Sequence, residues 1–76
     1  MEKEELLALT KKIRQNKANS DDKKGLIKYL NDEKKISDKQ YKDYLKNKDT
    51  EHILKLGLIA AAGILLLWAI SELAKD

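Results

Sequence analysis

Few side chains in this sequence could take part in chemistry. The 76 residues include one histidine and no cysteine, which excludes disulfides, thiolate metal sites and cysteine nucleophiles. His52 could sense protons or bind a metal, but its acidic neighbours Asp49 and Glu51 are of the ordinary surface type. We therefore expect His52 to be solvated. We also expect no catalytic residue, no metal site and no cofactor, and the protein is not expected to be an enzyme.

Glu72 is the other polar residue whose position could matter. It lies near the end of a long apolar stretch, where it could line a pore or pair with Lys75, three residues further on. A charged side chain at the end of an apolar helix usually reaches the lipid headgroups. We interpret Glu72 in this way.

Charge divides the chain into two unlike pieces. The net charge is +3, from 16 Lys/Arg and 13 Asp/Glu residues, and nearly all of these charges precede residue 53. Acidic and basic residues are interspersed there, and Arg14 is the single arginine, although arginine is the usual reader of bases and phosphates. We therefore expect a solvated charged face and no nucleic-acid partner. The sequence also contains almost none of the residue types from which compact active sites are made, so we expect no small-molecule substrate.

The C-terminal piece has the composition of a transmembrane helix. Leu56–Ser71 contains no charge over 16 residues, which is about 24 Å of helix against a hydrocarbon core of roughly 30 Å. The helix extends to Ile53–Ala74 because Lys55 and Glu72 lie near its ends, where long polar side chains reach the headgroups. Trp68 is also placed to anchor at an interface. The alternative is a buried helix of a soluble oligomer.

Lysines predict the orientation of this helix. Four lysines lie in the 15 residues before Ile53, whereas Lys75 alone follows the apolar stretch. The positive-inside tendency therefore predicts a cytoplasmic N-terminal part and a tail-anchored, single-pass protein in the cell (inner or plasma) membrane. Three lysines are best placed to contact anionic lipid headgroups, namely Lys42, Lys46 and Lys48.

One face of the apolar helix carries small residues at helical spacing. Gly57, Ala60 and Ala61, followed by Ile64, lie on this face. Small residues in this arrangement let helix backbones approach closely in lipid. We therefore predict a helix-packing face, with a second copy of the chain or a larger membrane protein as the partner.

The N-terminal piece shows the apolar periodicity of short helices. Leu6, Leu9 and Ile13 predict a first helix. Ser20 is the predicted N-cap of a second helix, and Ser37 with Gln40 has the spacing of a capping box at the start of a third. The last two helices form a predicted hairpin with a turn near residues 33–37. Its predicted core consists of Leu26, Ile27, Leu30, Ile36, Tyr41, Tyr44 and Leu45.

Residues 26–45 resemble the short helical hairpin known as the SHOCT domain. That family begins its second helix with an isoleucine, a Ser or Thr, an acidic residue, any residue, a Glu or Gln, and then a Tyr or Phe. Ile36-Ser37-Asp38-Lys39-Gln40-Tyr41 matches this pattern. The family's usual glycine before the isoleucine is Lys35 here. The resemblance covers about a quarter of the chain and implies oligomerisation or docking.

Together these patterns predict an all-α protein. A small cytosolic domain of two to three short helices, residues 1–50, is followed by one transmembrane helix with a short external tail, residues 51–76. The predicted function is non-enzymatic: the cytosolic helices mediate oligomerisation or docking in a membrane protein assembly. The alternative is a pore-forming, holin-like or toxin-like membrane effector. Its weakness is that no polar stripe runs through residues 56–70.

Overall fold

A computed structural model of the protein describes residues 1–74 as four helices, with no strand in that range. The helices are α1 (Lys3–Arg14), α2 (Ser20–Asp32), α3 (Asp38–Leu45) and α4 (Thr50–Leu73). The all-α prediction is therefore confirmed. Helix α2 packs against both α1 and α3, and α4 contacts each of the three short helices.

Helix α1 places a narrow apolar face inward. Leu6, Thr10 and Ile13 are its buried residues, at the spacing of one helix face. The Thr10 hydroxyl donates to the Leu7 carbonyl at 3.0 Å, so the one buried polar side chain among the described residues is satisfied within its own helix. The helix ends where Asn16 adopts a left-handed backbone conformation.

The start of α2 differs from the prediction by one residue. Asn19, and not Ser20, is the N-cap: its side-chain oxygen accepts from the Asp22 amide at 2.8 Å. The Asp22 carboxylate in turn accepts from the Asn19 amide at 3.2 Å. Asn19 is the N-cap because Asp22 lies three residues after it, which allows this reciprocal pair of hydrogen bonds. Ser20 is the first residue of the helix.

The start of α3 is the predicted capping box. The Ser37 hydroxyl accepts from the Gln40 amide at 3.1 Å, and the Gln40 side chain accepts from the Ser37 amide at 3.0 Å. Asn31 ties the hairpin together because its side-chain amide donates to the Ile36 carbonyl at 3.0 Å. Lys34 makes the turn in a left-handed backbone conformation. The turn therefore forms without the glycine that the SHOCT hairpin has before its isoleucine.

A break separates α3 from α4. Asn47 and Asp49 both have left-handed backbone conformations, which an α-helix cannot continue through. Asp49 occupies the N-cap position of α4, although its side chain makes no capping hydrogen bond. The apolar helix therefore begins at Thr50 as a separate element.

The core lies between α4 and the three short helices. Its fully buried side chains come mainly from α1 and α2, and Ile36 in the hairpin turn joins them. Helix α4 contributes one face to this cluster. The buried residues of that face are Ile53, Gly57, Ala61 and Ile64.

Candidate functional site

Helix α4 is the candidate site because it has two different faces. We call Ile53, Gly57, Ala61 and Ile64 the covered face, since all four are buried against the short helices. The rest of its surface carries large apolar side chains that are 52–76% exposed. We call them the exposed face; they are Ile59, Leu66, Leu67, Ile70 and Leu73.

Glycine allows the close approach at the centre of the covered face. A Cβ atom at Gly57 would lie 3.0 Å from Ile27 Cδ1 and 3.2 Å from Leu30 Cδ1. Two side chains of α2 therefore fill the space that a side chain at residue 57 would need. At Gly63, six residues further on, such an atom would have nothing within 4 Å. The two glycines of α4 thus lie in opposite environments.

The predicted helix-packing residues are in contact with the protein's own helices. Gly57, Ala61 and Ile64 are buried, and Ala60 is half-buried against the same cluster. This face was predicted to meet another membrane helix, whereas here α1–α3 occupy it. The sequence did not indicate this contact, because it depends on how Ile27 and Leu30 of α2 fit against Gly57.

The predicted interfacial anchors have three different environments. Lys55 is exposed, and Trp68 is half-buried against the core cluster. Glu72 contacts the ammonium of Lys3, which places the start of α1 beside the end of α4. Lys75, which the sequence offered as an alternative partner of Glu72, lies outside the described residues.

The predicted hairpin core differs from the structure at its end. Leu26, Ile27, Leu30, Ile36 and Tyr44 are buried, and Tyr41 is half-buried against them. Leu45, however, is 47% exposed and is no part of the core. It directly follows Tyr44, and consecutive residues of a helix point about 100° apart, so Leu45 does not share the inner side that Tyr44 occupies.

Burial affects the ionisation of two tyrosines outside α4. Removal from water raises the pKa of the Tyr44 phenol above its ordinary value. The pKa of Tyr29 is raised in the same direction, first by burial and then by the negative charge of Glu33. Both rings are therefore neutral in the folded protein near neutral pH. They act as packing residues with a polar edge.

The remaining polar candidates are surface residues. His52 is exposed and lies with Asp49 and Glu51 along an open surface depression. Within residues 1–74 no group of three or more His, Cys, Asp or Glu side chains could hold a metal ion. The predicted headgroup ligands Lys42, Lys46 and Lys48 are all exposed. Their contact with lipid stays a prediction.

One helix in the described range is long and apolar enough to cross a membrane, namely Thr50–Leu73. Only 22% of its most apolar 18-residue window is buried. A core helix of a soluble protein passes the same test of length and composition, but it is mostly buried. The exposure of α4 is thus the feature that a function has to explain.

Comparison with known proteins found no relative of this chain. No protein-family model, no curated protein and no solved structure matches the chain. The resemblance of residues 26–45 to the SHOCT hairpin therefore stays a prediction.

Proposed function

We propose that the protein is a non-enzymatic, single-pass membrane protein. Helix α4 spans the bilayer, and the charged helices α1–α3 form a cytosolic module for oligomerisation or docking in a membrane protein assembly. The observation that carries this proposal is the exposed face of α4. Five large aliphatic side chains are exposed on a helix that has no charge between Lys55 and Glu72.

The energetics of transfer support this assignment. Eight Leu or Ile side chains fall between residues 56 and 70, and together they favour insertion by on the order of 2.5–5 kcal/mol. Helix α4 has 24 residues, and at ~1.5 Å per residue its length is about 36 Å against a hydrocarbon core of roughly 30 Å. Lys55 and Glu72 then lie near the two surfaces, where charged groups cost little.

Small residues favour association once α4 is in lipid. Gly57 and Ala61 give α4 a thin side, and apolar helices in a bilayer associate mainly through such close-packed sides. We propose that this side packs against the α4 helix of a second copy or against a helix of a larger membrane protein. The side chains of Leu56–Ile70 include no polar stripe that could line an aqueous pore.

Alkaline carbonate extraction of membranes tests the spanning helix. Expressed at a low level with an N-terminal epitope tag, the protein should stay in the membrane pellet after extraction, because a spanning helix resists removal of peripheral charge contacts. The matched control replaces Leu66 and Leu67 by lysine, which places two charges at mid-helix, where each costs about 2.5–3.5 kcal/mol. This variant should be extracted. If the parent chain is extracted as completely as the control, α4 does not span.

A further inference from the structure

The described structure and a membrane span make opposing demands on α4. In the structure, the covered face is buried against α1–α3. In a bilayer, no charged neighbour can accompany the helix into the hydrocarbon without a large cost. Only one of these two environments can surround α4 at a time.

Helix α1 makes the conflict sharpest. Lys3 at its start contacts Glu72 near the end of α4. The start of α1 therefore lies beside the C-terminal end of α4, whereas α3 is connected to the N-terminal end. The outward side chains of α1 include Glu4, Glu5, Lys11 and Lys12, all exposed. If the cytosolic side keeps these charges, α1 must separate from α4 before the end of α4 crosses the membrane.

We propose that the structure is a closed, aqueous form in which α1–α3 cover α4, and that they release it when α4 enters the bilayer. This inference rests on the proposed function and adds the conformational step that comes before the span. In the closed form, the covered face is shielded from water, while the exposed face stays available for the first contact with lipid. Release frees Gly57 and Ala61 for packing against another helix.

Covering also explains why the small residues of α4 are placed as they are. Gly57 admits Ile27 and Leu30 of α2 in the closed form, and in lipid the same small side would admit another helix. The two contacts exclude each other because they use the same atoms. Association of α4 helices is therefore restricted to chains that have opened.

A reversible lock between α1 and α4 tests the proposal. The chain has no cysteine, so Lys3→Cys together with Glu72→Cys provides the only two thiols, at positions whose side chains are in contact in the structure. The purified full-length chain, in buffer without detergent, is treated with a short, reducible bis-methanethiosulfonate linker. We expect intramolecular linkage in water. Locked protein added to vesicles of 70% phosphatidylethanolamine and 30% phosphatidylglycerol should then remain carbonate-extractable.

Reduction of the linker should restore carbonate-resistant insertion, by at least fivefold over the locked sample. The matched control is Lys12→Cys with Asp22→Cys, which joins α1 to α2 at a pair whose charged atoms lie 3.9 Å apart. That link leaves α4 free, so the control should insert whether linked or reduced. The comparison separates the effect of the lock from the effect of the reagent.

The outcomes distinguish the two proposals. If locked and reduced proteins insert equally, or if no intramolecular linkage forms in water, the closed form is wrong while the spanning helix stands. If neither the parent chain nor any variant becomes carbonate-resistant, the spanning helix is wrong and the release step fails with it.

A second pair of variants tests the cover without any cross-link. Gly57→Leu and Gly63→Leu add the same apolar side chain to α4, but only residue 57 faces Ile27 and Leu30. If α1–α3 must be released, the first variant should insert into the same vesicles several-fold faster than the second. Equal rates would contradict the proposal, since both variants raise the apolarity of α4 by the same amount.

Discussion

At the scale of single residues, the two glycines of α4 provide a matched comparison of stability. A leucine at residue 57 collides with Ile27 and Leu30, whereas a leucine at residue 63 meets open space. Overpacking lowers the free energy of unfolding by about 1–3 kcal/mol. Leucine is the better helix former, so replacing a mid-helix glycine by leucine raises it by somewhat under 1 kcal/mol.

We therefore expect Gly57→Leu to lower the free energy of unfolding in water by roughly 1–2 kcal/mol. Gly63→Leu should leave it unchanged or raise it slightly. Urea unfolding followed by circular dichroism, without detergent or lipid, measures both. Equal effects of the two variants would mean that α2 does not pack on Gly57.

Tyr44 makes the stability of the folded chain depend on alkaline pH. Burial raises the pKa of its phenol above the unfolded value, so the folded state holds the phenolic proton more tightly. This contribution to stability is complete below the unfolded pKa and is lost as pH rises through the folded pKa.

Tyr44→Phe removes the ionisable group and keeps the ring. We expect this variant to lose less stability than the parent chain between pH 9 and pH 11, a range about one unit on each side of the ordinary tyrosine pKa. The midpoint of thermal unfolding across that range measures the difference. A parallel decrease in both proteins would show that Tyr44 ionises as freely in the folded state as in the unfolded one.

At the scale of elements, the start of α2 depends on one asparagine. Asn19 accepts from the Asp22 amide and donates its own amide to the Asp22 carboxylate, whereas Ser20 makes no capping contact. Loss of an N-cap side chain costs about 1 kcal/mol. Asn19→Ala should therefore lower stability by roughly that amount.

Ser20→Ala is the control for this prediction because Ser20 lies inside the helix. Alanine is a better helix former than serine, so the change should be neutral or slightly stabilising. Chemical denaturation of both variants compares them directly. A larger loss from Ser20→Ala would restore Ser20 as the cap.

Local signals in the sequence were sufficient for the helices, but not for their packing. The capping box of Ser37 and Gln40 was predicted because both partners lie within one turn and need no distant contact. Asn19 and Ser20 are both good capping residues, and only the reciprocal bond with Asp22 decides between them. Leu45 has an apolar side chain but no neighbour to bury it at the end of α3.

The covered face of α4 could not be predicted by the same reasoning. Small residues at this spacing suit close packing against any helix, so the pattern identifies the face without identifying what lies on it. That choice depends on contacts between residues about 30 positions apart, as between Ile27 and Gly57. Contacts of this kind leave no periodic signal in a single sequence.

At the scale of the whole molecule, the four helices combine two properties that are rarely stable together. A charged layer of short helices lies on one side of an apolar helix, and the rest of that helix exposes five large aliphatic side chains to solvent. Exposed apolar patches mark sites of contact with lipid or with another protein. In the function proposed above, the bilayer provides that contact.

The orientation of α4 in the membrane tests the central claim most directly. The natural chain has no cysteine, so Lys17→Cys in the connection between α1 and α2 and Ala74→Cys after α4 can be placed singly, each at an exposed position. Intact cells that express each variant are treated with a membrane-impermeant maleimide. We predict labelling of Ala74→Cys in intact cells, and of Lys17→Cys only after permeabilisation. If Ala74→Cys is protected until the cells are opened, α4 does not cross the membrane with its end outside, and the account is contradicted.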